Sequence, residues 1–185
     1  FGTIIIEGGT VNAKGGTYSY KGVLETSGAG IGGSGFGSEG TIIIRGGAVN
    51  AVGGTGAAGI GGGSVGHVDK IEITGGKVTA TAVGYKTDST IQGAAIGSGY
   101  NGNSKEALPC GEISITGGEI TADGNIGYGT GDNEYDGGSI RIGGEAKLDV
   151  TGTISLKDPE GVAYTLQLTV YDLKLVGRQN IPGTA

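Results

Sequence analysis

Aromatic side chains gather in the irregular segments of this sequence, between stretches of repeated isoleucine and glycine. Tyrosine combines an apolar ring with a polar hydroxyl and adds contact area at small entropic cost, so recognition surfaces are enriched in it. We interpret these residues as a candidate binding surface and expect Tyr100 and Tyr128 to lie close together. The alternative is that each ring packs its own segment onto the fold. The set comprises Tyr18, Tyr20, Phe36, Tyr85, Tyr100, Tyr128 and Tyr135.

An acidic segment, GDNEYDGG, offers hard oxygen ligands of the kind that Ca²⁺ prefers. The segment matches neither the EF-hand loop nor the nonapeptide calcium repeats. A solvated acidic loop is therefore the alternative, and no other cofactor is expected. The candidate ligands are Asp132, Asn133, Glu134 and Asp136.

Residue types suited to catalysis are sparse. His67 is the one histidine of the chain and lies in a Gly-Ser segment, so a Ser-His-Asp arrangement lacks support. The acidic residues are scattered and do not converge with Lys or Arg, which leaves a polysaccharide lyase or hydrolase as an alternative only. Cys110, the single cysteine, excludes an internal disulfide and a multi-cysteine metal site. We therefore expect a protein that is not an enzyme.

The composition favours a regular fold over disorder. Of 185 residues, 45 are glycine and 3 are proline, yet Ile, Val and Thr recur at fixed offsets, whereas disordered chains are poor in such residues. The formal charge of −6 argues against nucleic-acid binding, which needs clustered Lys and Arg. No apolar run approaches the roughly 20 residues of a membrane span, so membrane insertion is not expected.

One unit, Ile-x-Ile-x-Gly-Gly-x-Val/Ile-x-Ala, repeats along the chain. Each copy holds two short alternating segments joined by a Gly-Gly corner, and alternation with period two is typical of a strand with one side inward. A third segment of the Ala-x-Ile type follows, as in GAGIGG at 28–33. The copies begin at Ile4, Ile42, Ile71 and Ile113, and a degraded copy begins at Ile140.

Three short strands per unit predict an all-β fold, a parallel β-helix (β-solenoid) of about five coils spaced about 4.8 Å apart. By analogy with parallel crossovers we expect a right-handed coil. The inward side chains should stack in columns, and polar pairs should stack outside them. The columns are Ile4/Ile42/Ile71/Ile113/Ile140, Ile6/Ile44/Ile73/Ile115/Ile142, Val11/Val49/Val78/Ile120 and Ile31/Ile60/Ile96/Ile126; the outer pairs are Asn12–Asn50, Thr79–Thr121 and Glu7–Arg45.

The third strand is expected to turn a nearly bare face outward. A smooth face of this kind could accept a polysaccharide or a protein surface; the alternative is that glycine serves curvature alone. The outward positions are Gly30, Gly59, Ala95, Asn125, Gly32, Gly61, Gly97 and Gly127.

The repeat pattern ends near residue 152. We expect a repeat domain over 1–152, and a C-terminal β-strand cap or the start of a following domain over 153–185. Solenoid ends need covering because open strand edges invite aggregation. The start of the sequence almost directly in a strand indicates a fragment of a longer protein, and we expect a monomeric module of that larger chain.

The stretches TIIIEGGTVNAKGG and GAGIGG resemble glycine-rich repeats of large secreted surface proteins of Gram-positive gut bacteria, over about residues 2–150. The same repeat pattern is similar to that of β-helical carbohydrate-binding modules that bind plant cell-wall polymers such as pectin. The resemblance implies an extracellular, cell-surface adhesin or binding module. Its partner would be a host protein, such as mucin or immunoglobulin, or a polysaccharide. A passive stalk is the alternative from another class.

Overall fold

The chain folds into stacked coils of short strands. The structure is a computed structural model, and it describes residues 1–20, 23–37, 40–85, 89, 91–101, 109–130, 137–155 and 166–170. Within these ranges, no helix has the length and apolar character needed to span a membrane.

The strands follow the chain coil by coil. The first coil contains β1 (Thr3–Ile6), β2 (Thr10–Lys14), β3 (Thr17–Tyr20), β4 (Val23–Ser27) and β5 (Ile31–Gly32). The second contains β6 (Thr41–Ile44), β7 (Ala48–Thr55) and β8 (Ile60–Gly61), and the third β9 (Lys70–Ile73), β10 (Lys77–Val83) and β11 (Ile96–Gly97). The fourth contains β12 (Glu112–Ile115), β13 (Glu119–Asp123) and β14 (Ile126–Gly127). The fifth contains β15 (Ser139–Gly144), β16 (Lys147–Val150) and β17 (Ile154–Ser155), and β18 (Leu166–Val170) follows.

Three parallel sheets run along the stack, one for each side of the coil. The first sheet has the order β1-β6-β9-β12-β15-β18, the second β2-β7-β10-β13-β16, and the third β5-β8-β11-β14-β17. Strands β3 and β4 pair with each other in an antiparallel hairpin, which is inserted between the second and third sides of the first coil. The predicted fold, an all-β parallel β-helix, is confirmed.

The predicted core columns are confirmed by the strand register. Ile42 pairs with Ile71 and Ile71 with Ile113, and the other columns align in the same way. These three isoleucines are fully buried. Burying a side chain of this size contributes about 1.5–3 kcal/mol, so the columns are the main source of stability. At each Gly-Gly corner the second glycine takes positive φ, as at Gly76 with φ of 92°, which lets the chain turn from the first sheet into the second.

The third side of the coil is a pinched loop. In the first coil the N–H of Ala29 donates to the carbonyl oxygen of Gly33 at 2.9 Å, and the next two coils repeat this bond. Each loop places its one isoleucine in the core, and Ile60 and Ile96 are fully buried. We call the segments 29–33, 58–62 and 94–98 the third-side loops.

Successive third-side loops are hydrogen-bonded to each other through their backbones. The N–H groups of Gly30, Ile31 and Gly33 donate to carbonyl oxygens of the second coil at 3.2, 3.0 and 2.8 Å. Gly32 has φ of 134°, a conformation that L side chains rarely adopt. Later coils repeat this pattern, with φ of 138° at Gly61.

The expectation of an outward glycine face is wrong. Gly59, Gly61, Ala95 and Gly97 are buried. A Cβ on Gly97 would overlap the carbonyl oxygen of Gly127 in the next coil. Glycine stands at these positions because the backbones of neighbouring coils touch there, and a side chain would separate them.

Two strands beyond residue 152 pair with the sheets of the solenoid. Strand β17 pairs with β14 in the third sheet, and β18 pairs with β15 in the first sheet. The segments 156–165 and 171–185 lie outside the described residues. A cap or a following domain at the C-terminal end stays a prediction, as does the handedness of the coil.

Candidate binding surface

Tyr128 is part of the core. Its side chain is 2% exposed, and its hydroxyl donates a hydrogen bond to the carbonyl oxygen of Gly137. The expectation that Tyr128 offers its ring to a partner is therefore wrong. The ring follows the buried Ile126 by two residues, and it fills space that a short side chain would leave empty.

Cys110 is buried beside Tyr128 and is a free cysteine. Its Sγ donates to the carbonyl oxygen of Gly111 at 3.3 Å. Burial raises the pKa of the Cys110 thiol to about 12, against weaker lowering effects of hydrogen bonds, including one from Tyr128. The thiol is therefore neutral at physiological pH, and its role is to pack.

Tyr85 and Tyr100 form an aromatic pair on the third coil. Their ring centroids lie 5.5 Å apart at an angle of 69°, the edge-to-face arrangement that aromatic rings favour. Both residues are half-buried. The ring of Tyr85 lies against Gly56 of the second coil. Burial raises the pKa of Tyr85, and the neighbouring Tyr100 adds a smaller effect in the same direction, so the Tyr85 phenol stays neutral.

Two further aromatic rings project from the first coil. The side chain of Tyr18, on the β3–β4 hairpin, is 53% exposed, and that of Phe36, in the turn after β5, is 66% exposed. Phe36 has φ of 57° and Val65, in the corresponding turn of the second coil, has φ of 55°. The left-handed conformation is costly for a residue with a side chain. Here it holds the Phe36 ring out in solvent.

Backbone contacts connect these four rings across the second coil. The N–H of Thr55 donates to Oγ1 of Thr17 at 3.1 Å, and the carbonyl oxygen of Gly56 accepts the N–H of Tyr100 at 2.8 Å. On the other flank, Val65 donates to the carbonyl oxygen of Tyr100 at 2.8 Å, and Phe36 donates to that of Ser64 at 2.9 Å. These bonds connect the segments that carry the four rings, on the first to third coils. We call Tyr18, Phe36, Tyr85 and Tyr100 the aromatic patch.

A cavity of about 320 Å³ lies at one end of the aromatic patch, between the β3–β4 hairpin and the turn that follows β5. Its lining includes Tyr18 and the hydroxyl-bearing residues Thr17, Thr26, Ser27 and Ser34. We call this cavity the hairpin pocket. The sequence carried a signal for the hairpin, because the alternating segments TYSY and VLETS flank Lys-Gly, a pattern typical of two strands and a tight turn.

Several candidate residues lie outside the structural description. Of Tyr20 only the backbone is described. The structure does not describe Tyr135 or the proposed calcium ligands Asp132, Asn133, Glu134 and Asp136. In the part of the chain that the structure covers, no three His, Cys, Asp or Glu side chains come together as a metal site. Calcium binding by the acidic segment stays a prediction.

The charged side chains on the sheets make local structural contacts. The predicted Glu7–Arg45 pair is present, with Oε1 and Nη1 2.6 Å apart. Lys70 pairs with Glu72 at 3.0 Å and with Glu112 at 3.9 Å. The hydrogen bond to Glu72, followed by the charges of both carboxylates, raises the pKa of Lys70.

A second groove, of about 950 Å³, follows the Gly-Gly corners of the third to fifth coils. It is bordered by Glu119, Glu145 and Lys147, and Glu119 pairs with Lys147 at 3.9 Å. Its other described borders are glycine and threonine, so this groove offers a ligand mostly backbone.

Residues 4–35 and 71–100 match the model of the family described as beta helix repeat. No curated protein and no solved structure matches the chain. The matched segments contain three of the four members of the aromatic patch, Tyr18, Tyr85 and Tyr100, together with the third-side loops of the first and third coils. The chain is thus a parallel β-solenoid, and two of its segments are similar to the beta helix repeat.

Proposed function

We propose that this chain is a non-catalytic binding module of an exported bacterial surface protein, and that its aromatic patch contacts a host protein or a glycan. The observation that carries the proposal is the grouping of Tyr18, Phe36, Tyr85 and Tyr100 on one region of a regular scaffold. Aromatic rings that are grouped on a surface are typical of recognition sites.

The scaffold supports a binding role because it fixes the rings in place. The pairs β7–β10 and β2–β7 keep a continuous register over most of their length, and the core columns beneath them are buried. Rigid presentation lowers the entropy lost on binding. The first and third coils, which carry the rings, are two coil spacings apart, about 9–10 Å along the stack, which suits an extended ligand.

The described charged groups also favour binding over catalysis. Asp69 accepts the N–H of Gly40 at 3.0 Å, and Asp123 accepts the hydroxyl of Thr151 at 3.0 Å. A glycosidase or lyase instead needs carboxylates poised on a common substrate site. The cell-surface location is part of the proposal, and the resemblance of the repeats to bacterial surface proteins supports it.

The test is retention of defined partners by the immobilised chain. Mucin, immunoglobulin and a panel of plant polysaccharides are passed over the wild-type chain and over a Phe36→Ala/Tyr100→Ala variant. A Phe1→Ala variant is the matched control, because Phe1 is also an exposed ring, 45% accessible, but belongs to the end of the first sheet. We expect retention by the wild-type and control chains and loss in the double variant.

Three outcomes contradict the proposal. A passive stalk would retain none of these partners. A binding module that uses another face would retain its partner equally well after the double substitution. An enzyme would release reducing or unsaturated ends from one of the polysaccharides.

A further inference from the structure

We infer that Phe36 is the anchor of the aromatic patch and that it inserts into an apolar pocket of a protein partner, an inference that rests on the proposed binding function. The ring is 66% exposed, the largest exposed fraction among the large hydrophobic side chains that the structure describes. Most of its apolar surface is therefore free to be buried by a partner. Aromatic side chains are enriched in protein interfaces, where the strongest contacts fill well-packed pockets of the partner.

The backbone that carries the ring is in a conformation that favours glycine. The N–H of Gly37 donates to the carbonyl oxygen of Ser34 at 3.0 Å and closes a tight turn, in which Phe36 is the third residue. Its φ of 57° lies in the left-handed region. Turns with positive φ at the third residue favour glycine or asparagine there, because a Cβ makes this conformation costly. Phenylalanine at this position therefore lowers the stability of the fold.

Glycine stands at both positions that adjoin Phe36, although neither glycine takes positive φ. A Cβ on Gly35 would overlap Oγ1 of Thr26, and a Cβ on Gly37 would lie 2.9 Å from the carbonyl oxygen of Ser34. The fold thus has glycine at the two positions where a side chain would collide. It keeps phenylalanine at the position between them, where glycine would relieve the strain.

Val65 shows how packing can compensate for such strain. It takes φ of 55° in the corresponding turn of the second coil, but its side chain is partly buried and packs against the hydrophobic core. Burial of an apolar side chain offsets the cost of the backbone conformation. Phe36 has no comparable burial among the described residues. Strained backbone conformations cluster at functional sites, and binding through the exposed ring accounts for the cost at Phe36.

A projecting ring fits a protein better than a polysaccharide. A pocket encloses the ring on several sides and removes most of its exposed surface from water. A sugar ring stacks on one face of the phenyl group only, and its hydroxyls need hydrogen-bonding side chains beside that face. The residues that adjoin Phe36 in the sequence are Gly35 and Gly37, which have no side chain to offer. The expected partner is therefore a protein with an apolar pocket.

The experiment measures the affinity of the full chain for immunoglobulin and for deglycosylated mucin, with xylan and polygalacturonate as the polysaccharide comparison. The variants are Phe36→Ala, which removes the ring and keeps the strain, and Phe36→Gly, which removes both. Phe1→Ala is the control, because it removes an exposed ring outside the aromatic patch. We expect at least one of the two proteins to bind, both Phe36 variants to weaken binding about tenfold or more, and the control to leave it unchanged.

Melting temperatures test the strain separately from binding. We expect Phe36→Gly to melt about 2–4 °C above the wild type and above Phe36→Ala, because glycine accepts positive φ without steric cost. Val65→Gly is the matched variant, since it relieves the same strain but removes a side chain that packs against the core. Its melting temperature should not rise. A lower melting temperature for Phe36→Gly than for the wild type would show that the ring supports the fold, and would overturn the inference.

The binding outcomes separate this inference from the proposed function. Unchanged affinity in both Phe36 variants, with binding lost in Tyr100→Ala, would overturn the anchor and leave the binding function standing. Binding to a polysaccharide alone would overturn the protein partner. A wild-type chain that retains none of the four probes contradicts both proposals.

Discussion

The first two sheets and the third-side loops hold the same coils together by different means. In the sheets, columns of isoleucine and valine exclude water, and each strand offers its neighbours a shaped apolar surface. In the third-side loops one isoleucine enters the core and the rest is backbone in contact with backbone. The sheets should therefore respond to a change of side-chain volume, whereas the loops should respond to the presence of any side chain.

The largest effect is expected for Gly97→Ala in the third-side loop. The new Cβ would overlap the carbonyl oxygen of Gly127, and φ of 139° is unfavourable for alanine. We expect a loss of about 4 kcal/mol or more in the free energy of unfolding, or failure to fold. Urea unfolding followed by circular dichroism measures it.

The matched control for Gly97→Ala is Gly8→Ala at a Gly-Gly corner. No atom lies within 4 Å of the position where its Cβ would stand. We expect the free energy of unfolding to change by less than about 0.5 kcal/mol. Gly8 is open because it lies in the first coil, whereas a Cβ on Gly75, at the corner of the third coil, would come within 2.5 Å of the carbonyl oxygen of Arg45. Equal losses in Gly97→Ala and Gly8→Ala would contradict backbone contact as the cause of the loss.

A smaller but substantial loss is expected for Ile113→Ala in the first sheet. Ile113 is fully buried between Ile71 and Ile140, and the truncation leaves a cavity in the column. We expect the free energy of unfolding to fall by about 2–5 kcal/mol. Ile5→Ala is the control on the outer face of the same sheet, where the side chain is 50% exposed. If the exposed truncation cost as much as the buried one, the columns would not be the main source of stability.

Alkaline pH should weaken the region that follows the third-side loop of the third coil, through Cys110. Its pKa is raised from 9.0 to about 12 in the folded chain. The stabilising contribution is therefore present below pH about 9 and is lost as the pH rises towards about 12. Unfolding free energies measured across this range should fall for the wild type more steeply than for Cys110→Ala. Parallel pH profiles for the two chains would contradict the buried neutral thiol.

The smallest effect is expected on the outside of the solenoid, for Arg45→Ala. Arg45 and Glu7 are 48% and 71% exposed, so solvent screens their attraction in spite of the short distance. We expect the free energy of unfolding to fall by about 0.5 kcal/mol or less, and the wild type and Arg45→Ala to be equally stable at high salt. A loss comparable with that of Ile113→Ala would show that the surface pair matters more than its exposure indicates.

The first and second sheets could be predicted from the sequence because the alternation of apolar and polar residues indicates which side chains point inward. Once Ile42, Ile71 and Ile113 are aligned by their Gly-Gly corners, the register follows without further information. The third-side loops were not predictable in the same way. Their sequence is almost free of side chains, and period-two reasoning does not apply where Gly97 takes positive φ and reverses the direction of the next peptide.

The candidate binding surface was predictable in part. Tyr18 and Phe36 stand in the inserts and are exposed, as expected. Tyr128 follows Gly127, which takes positive φ of 115°, so alternation from Ile126 could not place its ring. The Tyr85–Tyr100 contact joins two segments on either side of a third-side loop, and the unequal lengths of the inserts hide that proximity from the sequence.

The constant length of the third-side loops limits where this solenoid can accept new segments. Each loop spans five residues, at 29–33, 58–62 and 94–98, whereas the segments on either side of it differ in length from coil to coil. A residue added inside a loop would shift its pairing with the loops of the neighbouring coils. Insertions are therefore tolerated beside the loops, as the β3–β4 hairpin shows.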